Sequence, residues 1–172
     1  MTFTIKTNRL TLRPLEISDA EVLQRIYQTE DILRYFPPTV SPTLETIQRY
    51  VMRQKEHWDK YRYGHWGVVP NGQSQVIGWA GLQFLPELNE TEVGYLLDKL
   101  HWGKGYATEA AQASIQFGFE SCALDHIIAL VHADNTASRR VIEKCNMSYT
   151  ETIHIWGIDL MRHNLEHTTT ST

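Results

Sequence analysis

TEVGYLLDKLHWGKGYATEA, residues 91–110, decides how this chain is read. Its first eight residues are mostly apolar from Val93 to Leu97 and read as a strand closing at Asp98. Its last five open a helix. Between them, Gly103 and Gly105 flank Lys104. Glycine removes Cβ and lets a backbone N–H approach a ligand closely. A helix start leaves several N–H groups unpaired and carries partial positive charge. Strand, bare loop and helix start together make a place for a phosphate or another anion. A tight strand-to-helix turn with no ligand accounts for the same glycines, so the rest of the chain has to decide. A nucleotide-hydrolase loop fits poorly, because that pattern wants Ser or Thr after the lysine and Gly105 stands there.

Working outward, the stretch 106–121 is a helix with small residues at Ala107, Ala110, Ala111, Ser114 and Gly118. That face can press close to a sheet, with Ile115 and Phe119 extending the contact. DHIIALVHA (125–133) is a β run, and NTASRRVIEKC (135–145) is a helix. SYTETIHIW and IDLMRHNLE form a closing antiparallel pair that turns at Gly157. Upstream, HWGVVP (65–70), QVIGWAGLQFL (75–85) and TEVGYLLD (91–98) are strands separated by Asn71-Gly72 and by Pro86 to Asn89. Short connections make them antiparallel neighbours. RLTLRPL (9–15) is a further strand. SDAEVLQRIYQ is a helix capped by Ser18 or Asp19, FPPTVSP breaks it, and TLETIQRYVMRQKEHW (43–58) is a second helix. The order β-α-α-β-β-β-α-β-α-β-β predicts an α/β (α+β) architecture. Its sheet is mixed and mostly antiparallel, with helices on both faces. No repeat or linker divides the chain, so one domain is expected over residues 1–167 with a polar tail at 168–172.

Composition narrows the function. The chain has 172 residues, 42% hydrophobic and 21% charged, enough for one sizeable core. A net charge of −4 and a pI near 6.0 argue against nucleic acid as a partner. No apolar run is long enough for a membrane span, and no signal peptide is evident. Cys122 and Cys145 make no disulfide framework and are expected as buried, reduced thiols of a cytoplasmic protein. The histidines show no metal spacing. His163 and His167 are four apart beside a Thr-rich end, where an exposed C-terminus is expected rather than a zinc site.

Three polar residues stand out. Glu92 lies in an otherwise apolar strand, and a bare buried carboxylate is costly, so it should face a cavity or a partner. An edge-facing glutamate continuing Glu87 and Glu90 is the plainer reading. Asn135 suits a helix N-cap. Ser138 shares a stripe with Val141, Ile142 and Cys145, and a hydroxyl on an inward stripe needs a partner. Asn146 suits a left-handed helix end.

TEVGYLLDKLHWGKGYATEA followed by ADNTASRRVIEKCNM resembles the GNAT superfamily of acetyl-CoA-dependent N-acetyltransferases. The resemblance is closest to the branch of ribosomal-protein N-terminal (Rim-type) enzymes, and NRLTLRPLEISDAEVL and ILRYFPP fit the same branch. It covers most of the chain and implies the GNAT acyl-CoA N-acyltransferase fold. It further implies that Trp102, Gly103, Lys104, Gly105, Tyr106, Ala107 and Thr108 hold the pyrophosphate of coenzyme A, mainly through main-chain N–H groups. Trp102 stands where the family usually has Gln or Arg. The strand before the loop would splay from its neighbour so that pantetheine adds to it, with the exposed backbone groups on Tyr95 and Leu97. An N–H there would also serve the thioester oxyanion. The family places a base at the position of Glu92 and a cofactor contact at Asn135. Many members carry a tyrosine acid where this chain has Ile142, which leaves Ser138 as the donor to the departing thiolate.

The reaction so implied is direct acetyl transfer in a ternary complex of acetyl-CoA and an amine acceptor, with no metal. At pH 7 the neutral fraction of an α-amine (pKa about 8) is on the order of a tenth, and that of lysine (about 10.4) a few ten-thousandths. One carboxylate without a tyrosine suits the easier case, a protein or peptide N-terminus. A small amine, such as a polyamine, antibiotic or amino-acid derivative, is the alternative acceptor. A non-catalytic acetyl-CoA-binding module is the alternative class. Residues 34–40 are expected to line the acceptor side, and the sequence allows a homodimer.

Overall fold

Turn and cap residues divide the described part of the chain, residues 3–37 and 40–168 of a computed structural model, into strands and helices. The strands are β1 (Ile5–Lys6), β2 (Leu10–Pro14), β3 (His65–Pro70), β4 (Gly78–Leu85), β5 (Glu90–Leu97), β6 (His126–Val131), β7 (Ser148–Ile155) and β8 (Ile158–Glu166). The helices are α1 (Ala20–Tyr27), α2 (Leu44–Tyr61), α3 (Tyr106–Cys122) and α4 (Thr136–Lys144). The tail expected at 168–172 lies outside the described residues except for Thr168, as do Pro38 and Thr39 of the 34–40 segment.

All eight strands join one sheet in the order β1-β2-β3-β4-β5-β6-β8-β7. Every neighbouring pair is antiparallel except β5 and β6. The mixed, mostly antiparallel sheet predicted from the element order is therefore what forms. Helices cover both faces. On one face, Ala20, Leu23 and Ile26 of α1 and Ile47 and Val51 of α2 pack on Val69, Trp79 and Leu96. On the other, Ala110, Ala111 and Ile115 of α3 and Ile142 of α4 pack on Leu82, Val93 and Ile127. The small-residue face of α3 lets that helix lie close. A Cβ at Gly118 would sit 2.7 Å from Leu82 Cδ1 and 2.9 Å from Ile127 Cδ1.

Caps behave as their chemistry dictates. Thr43 accepts from the Thr46 N–H to start α2, and Asn135 accepts from the Ser138 N–H to start α4. Asn146 takes φ 60° after α4, the left-handed conformation Asn tolerates. Two expectations fail. His163 is not part of an exposed C-terminus: it is 5% exposed within β8. His167 stacks on Phe119 with ring centroids 4.8 Å apart. β8 runs to Glu166 because β6 offers it a full antiparallel ladder, from His126↔Glu166 to Val131↔Met161. Cys145 is a buried free thiol as expected, but Cys122, the last residue of α3, is only half-buried.

Candidate active site at the parting of two strands

β5 and β6 are paired at a single position, Glu92↔Ile128. Beyond it the strands diverge. The Leu130 N–H, next along β6, is taken by the Glu92 carboxylate itself (Leu130 N to Oε1, 3.3 Å). A charged side chain thus satisfies a backbone donor that the parting would leave unpaired. Burial pushes the Glu92 carboxyl up from 4.5 to about 7, and the Leu130 bond offsets only part of this. A carboxylate near pH 7 is matched to proton abstraction at neutral pH.

Below Glu92 the strands are clamped. Glu90 accepts from His126 Nε2 (3.2 Å) on β6 and is ion-paired with Arg162 on β8. The Arg162 pairing is the larger influence that holds the Glu90 carboxyl below its usual range against desolvation. Two adjacent glutamates of one strand face therefore have opposite character: Glu90 is a fixed structural anion, and Glu92 is a carboxylate poised to titrate.

Strand alternation places the next residues. Glu92 and Leu96 point to the α1/α2 face, whereas Val93, Tyr95 and Leu97 point to the α3/α4 face. There the Tyr95 hydroxyl lies 2.8 Å from Ser138 Oγ and 3.2 Å from the Ser138 carbonyl oxygen. Ser138 is thus turned toward the parting from α4, and the hydroxyl partner its stripe demanded is a phenol from β5. The Leu97 carbonyl accepts from Trp102 Nε1 at 2.7 Å, which ties the start of the glycine loop to the end of β5. Trp102 serves the loop as a strap, and its ring also lies under the Lys99 ammonium at 5.7 Å.

The glycine loop then turns into α3. Gly103 and Gly105 take φ 73° and 78°, where residues with a Cβ are strained. No side chain caps α3, whose N-cap is Gly105. Gly103, Lys104 and Gly105 are exposed, and Tyr106, Ala107 and Thr108 are half-buried. Uncapped N–H groups behind a side-chain-free turn, beside Lys104, fit a phosphate ester. Arg9, which the sequence left unassigned, locks this geometry: Nη1 donates to the Lys104 carbonyl (2.7 Å), and Nε pairs with Glu109 (2.7 Å). Its guanidinium lies 4.9 Å above the Tyr106 ring. The only hint was a basic residue opening the first predicted strand. Asn135 sits at the start of α4 as its N-cap.

Of the 34–40 segment, Tyr35 stacks on His132, the residue after β6, with centroids 5.3 Å apart. That stack bridges the α1–α2 connection to the open end of the parting. Phe36 instead packs against the α1/α2 core.

Comparison with known proteins decides the family. The acetyltransferase (GNAT) domain matches residues 9–148. The chain belongs to the GNAT acetyltransferases. It is 31% identical over 140 residues to the N-acetyltransferase p20 of Bacillus licheniformis, covering 81% of this chain and 79% of p20. A GNAT-family acetyltransferase from Bacillus anthracis superimposes with a TM-score of 0.80 at 26% identity, over 95% of this chain and 98% of that one. The ribosomal L7/L12 alpha-N-protein acetyltransferase RimL, solved with coenzyme A, shares the fold at 15% identity (TM-score 0.81, 95% and 98% covered). This GNAT enzyme is an acetyl-CoA-dependent N-acetyltransferase, and acetyl-CoA is its co-substrate.

Proposed function

We propose that this enzyme acetylates the α-amine of a protein or peptide N-terminus, in the manner of the Rim-type branch. The observation that carries the reading is Glu92 at the parting of β5 and β6, with its carboxyl pushed up to about 7. Taking a proton from an α-ammonium of pKa about 8 is then uphill by roughly one unit, ~1.4 kcal/mol. Taking it from a lysine ammonium at about 10.4 is uphill by roughly 3.4 units, ~4.6 kcal/mol. The fold shared with RimL, whose name states an alpha-N-protein substrate, points the same way.

In this reading the two sheet faces divide the work. The loop from Trp102 to Thr108 holds the pyrophosphate, and backbone groups of Tyr95 and Leu97 line the pantetheine path. The amine enters from the α1/α2 face, where Glu92 takes its proton. Ser138, on the α3/α4 face, donates to the sulfur as it leaves, and Asn135 fixes the start of the helix that carries it. Because Glu92 and Ser138 approach one gap from opposite faces, both substrates can be held at once, as direct transfer requires.

The test pairs two peptides of one sequence containing an internal lysine. One has a free N-terminus and the other a blocked one, and acetylation is located by mass spectrometry. The free-N-terminal peptide is expected to be modified at its α-amine, and the blocked one to be left largely unmodified. Faster turnover of the blocked peptide, or of a polyamine, overturns the assignment.

A further inference from the structure

The phenol of Tyr95 has no assigned part in the reaction. It is not packed there for its ring alone. Its hydroxyl spans from β5 to α4 and meets both the Oγ and the carbonyl oxygen of Ser138, at 2.8 and 3.2 Å. In the first turn of α4 the Asn135 side chain accepts from the Ser138 N–H at 3.1 Å, and the Ser138 hydroxyl is left to its partner on β5. Among the described residues, the only side-chain hydrogen-bond partner of Ser138 Oγ is Tyr95.

We infer that Tyr95 is a positioning residue that aims the Ser138 hydroxyl at the coenzyme A sulfur and strengthens it as a donor. This rests on the reading of Ser138 given under Proposed function. With no charge at the sulfur position, the phenol donates to the Ser138 carbonyl and Oγ–H points to the phenol oxygen. As the C–S bond breaks, its electron pair goes to sulfur. Ser138 then turns its hydrogen to the thiolate, and the phenol hydrogen moves from the carbonyl to Oγ. Two hydrogen bonds in series polarise each other in the direction the charge requires. Neither hydroxyl ends the step deprotonated. Burial raises the Tyr95 hydroxyl well above its ordinary value, which keeps it a neutral donor throughout. The other titratable groups whose charge reaches the phenol are the Cys145 thiol, itself pushed up to about 11, and Glu92 on the opposite face of β5.

The test is a cycle of Tyr95→Phe, Ser138→Ala and the double variant, each checked for folding by its melting temperature. Tyr95→Phe keeps the ring and should leave the acetyl-CoA KM within about twofold while lowering kcat ~5- to 10-fold, the value of one neutral hydrogen bond. In the Ser138→Ala background the same change should cost nothing further, because the phenol then has no hydroxyl to act through. A second readout does not depend on turnover. The thiol of bound coenzyme A is titrated by its ultraviolet thiolate absorbance, a range the Cys145 thiol stays above. Tyr95→Phe should raise that pKa by about half to one unit.

The inference is overturned if Tyr95→Phe is as fast as the parent while Ser138→Ala is slow. It is equally overturned if the cost of Tyr95→Phe persists in the double variant, or if the bound thiol titrates unchanged. If Ser138→Ala alone is fully active with an unchanged bound-thiol pKa, the reading of Ser138 fails first, and the role of Tyr95 falls with it.

Discussion

Replacing Glu92 with Gln should make this enzyme more stable and much slower at the same pH. The carboxyl sits at about 7 instead of 4.5 because burial disfavours its charge. At ~1.4 kcal/mol per unit, ionising it in the folded state costs about 3.4 kcal/mol. The side chain is only half-buried, and water in the cleft reduces this to about 2–3 kcal/mol. The sign follows from the raised folded-state value. The folded state holds its proton more tightly than the unfolded chain, so the associated stability is full below pH 4.5 and is lost as pH rises through about 7. Glutamine never ionises and keeps an amide oxygen for the Leu130 N–H. At pH 8, Glu92→Gln should therefore melt roughly 4–12 °C higher than the parent, at about 2–4 °C per kcal/mol for a chain of this size. Turnover should fall ~10²–10⁴-fold, the usual cost of losing a general base. Acetylation of a peptide amine, followed by thiol release across a pH series, completes the assay. The parent's kcat/KM should rise through an acid limb near 7, and in the variant the remaining rise should follow the amine's own ionisation. A variant that keeps the parent's turnover and acid limb refutes the base. A slowed variant with no gain in melting temperature at pH 8 refutes the account of burial.

Three further outcomes are expected. Gly105→Val should abolish acetyl-CoA binding in calorimetry, because φ is 78° there and the new side chain would press on Arg9 Nη2, already 3.2 Å from the Cβ position. His65 is 4% exposed and burial holds its imidazole down at about 3, so acid should unfold the protein through this group. Stability is full above pH 6.5 and falls as pH drops toward 3, by about 4–5 kcal/mol in all; acid titrations of the parent and a folded His65→Gln variant should show the variant's loss to be shallower. Trp156 holds φ 53° beside Gly157 at 80° in the β7–β8 turn, where Asn is preferred, so Trp156→Asn should raise the melting temperature by about 2 °C.

The sequence by itself determined everything set by neighbours along the chain. The glycines at 103 and 105 had to turn left-handed before a helix, Asn135 had to cap α4, and Asn146 had to end it. The alternation of β5 put Glu92 and Tyr95 on opposite faces of one strand. Each of these follows from backbone sterics or a period of two or 3.6, which a local stretch contains in full. Which group lies opposite each of them is decided only when the sheet closes. Tyr95 finds Ser138 43 residues away, Glu92 finds the Leu130 N–H 38 away, and Arg9 reaches the Lys104 carbonyl across 95. No local pattern encodes those distances, because they depend on how far β5 and β6 part and how closely α3 and α4 settle on the sheet. The raised proton affinity of Glu92 belongs to the same class: it comes from the burial of its carboxylate at the parting of β5 and β6, which only the packed tertiary structure creates.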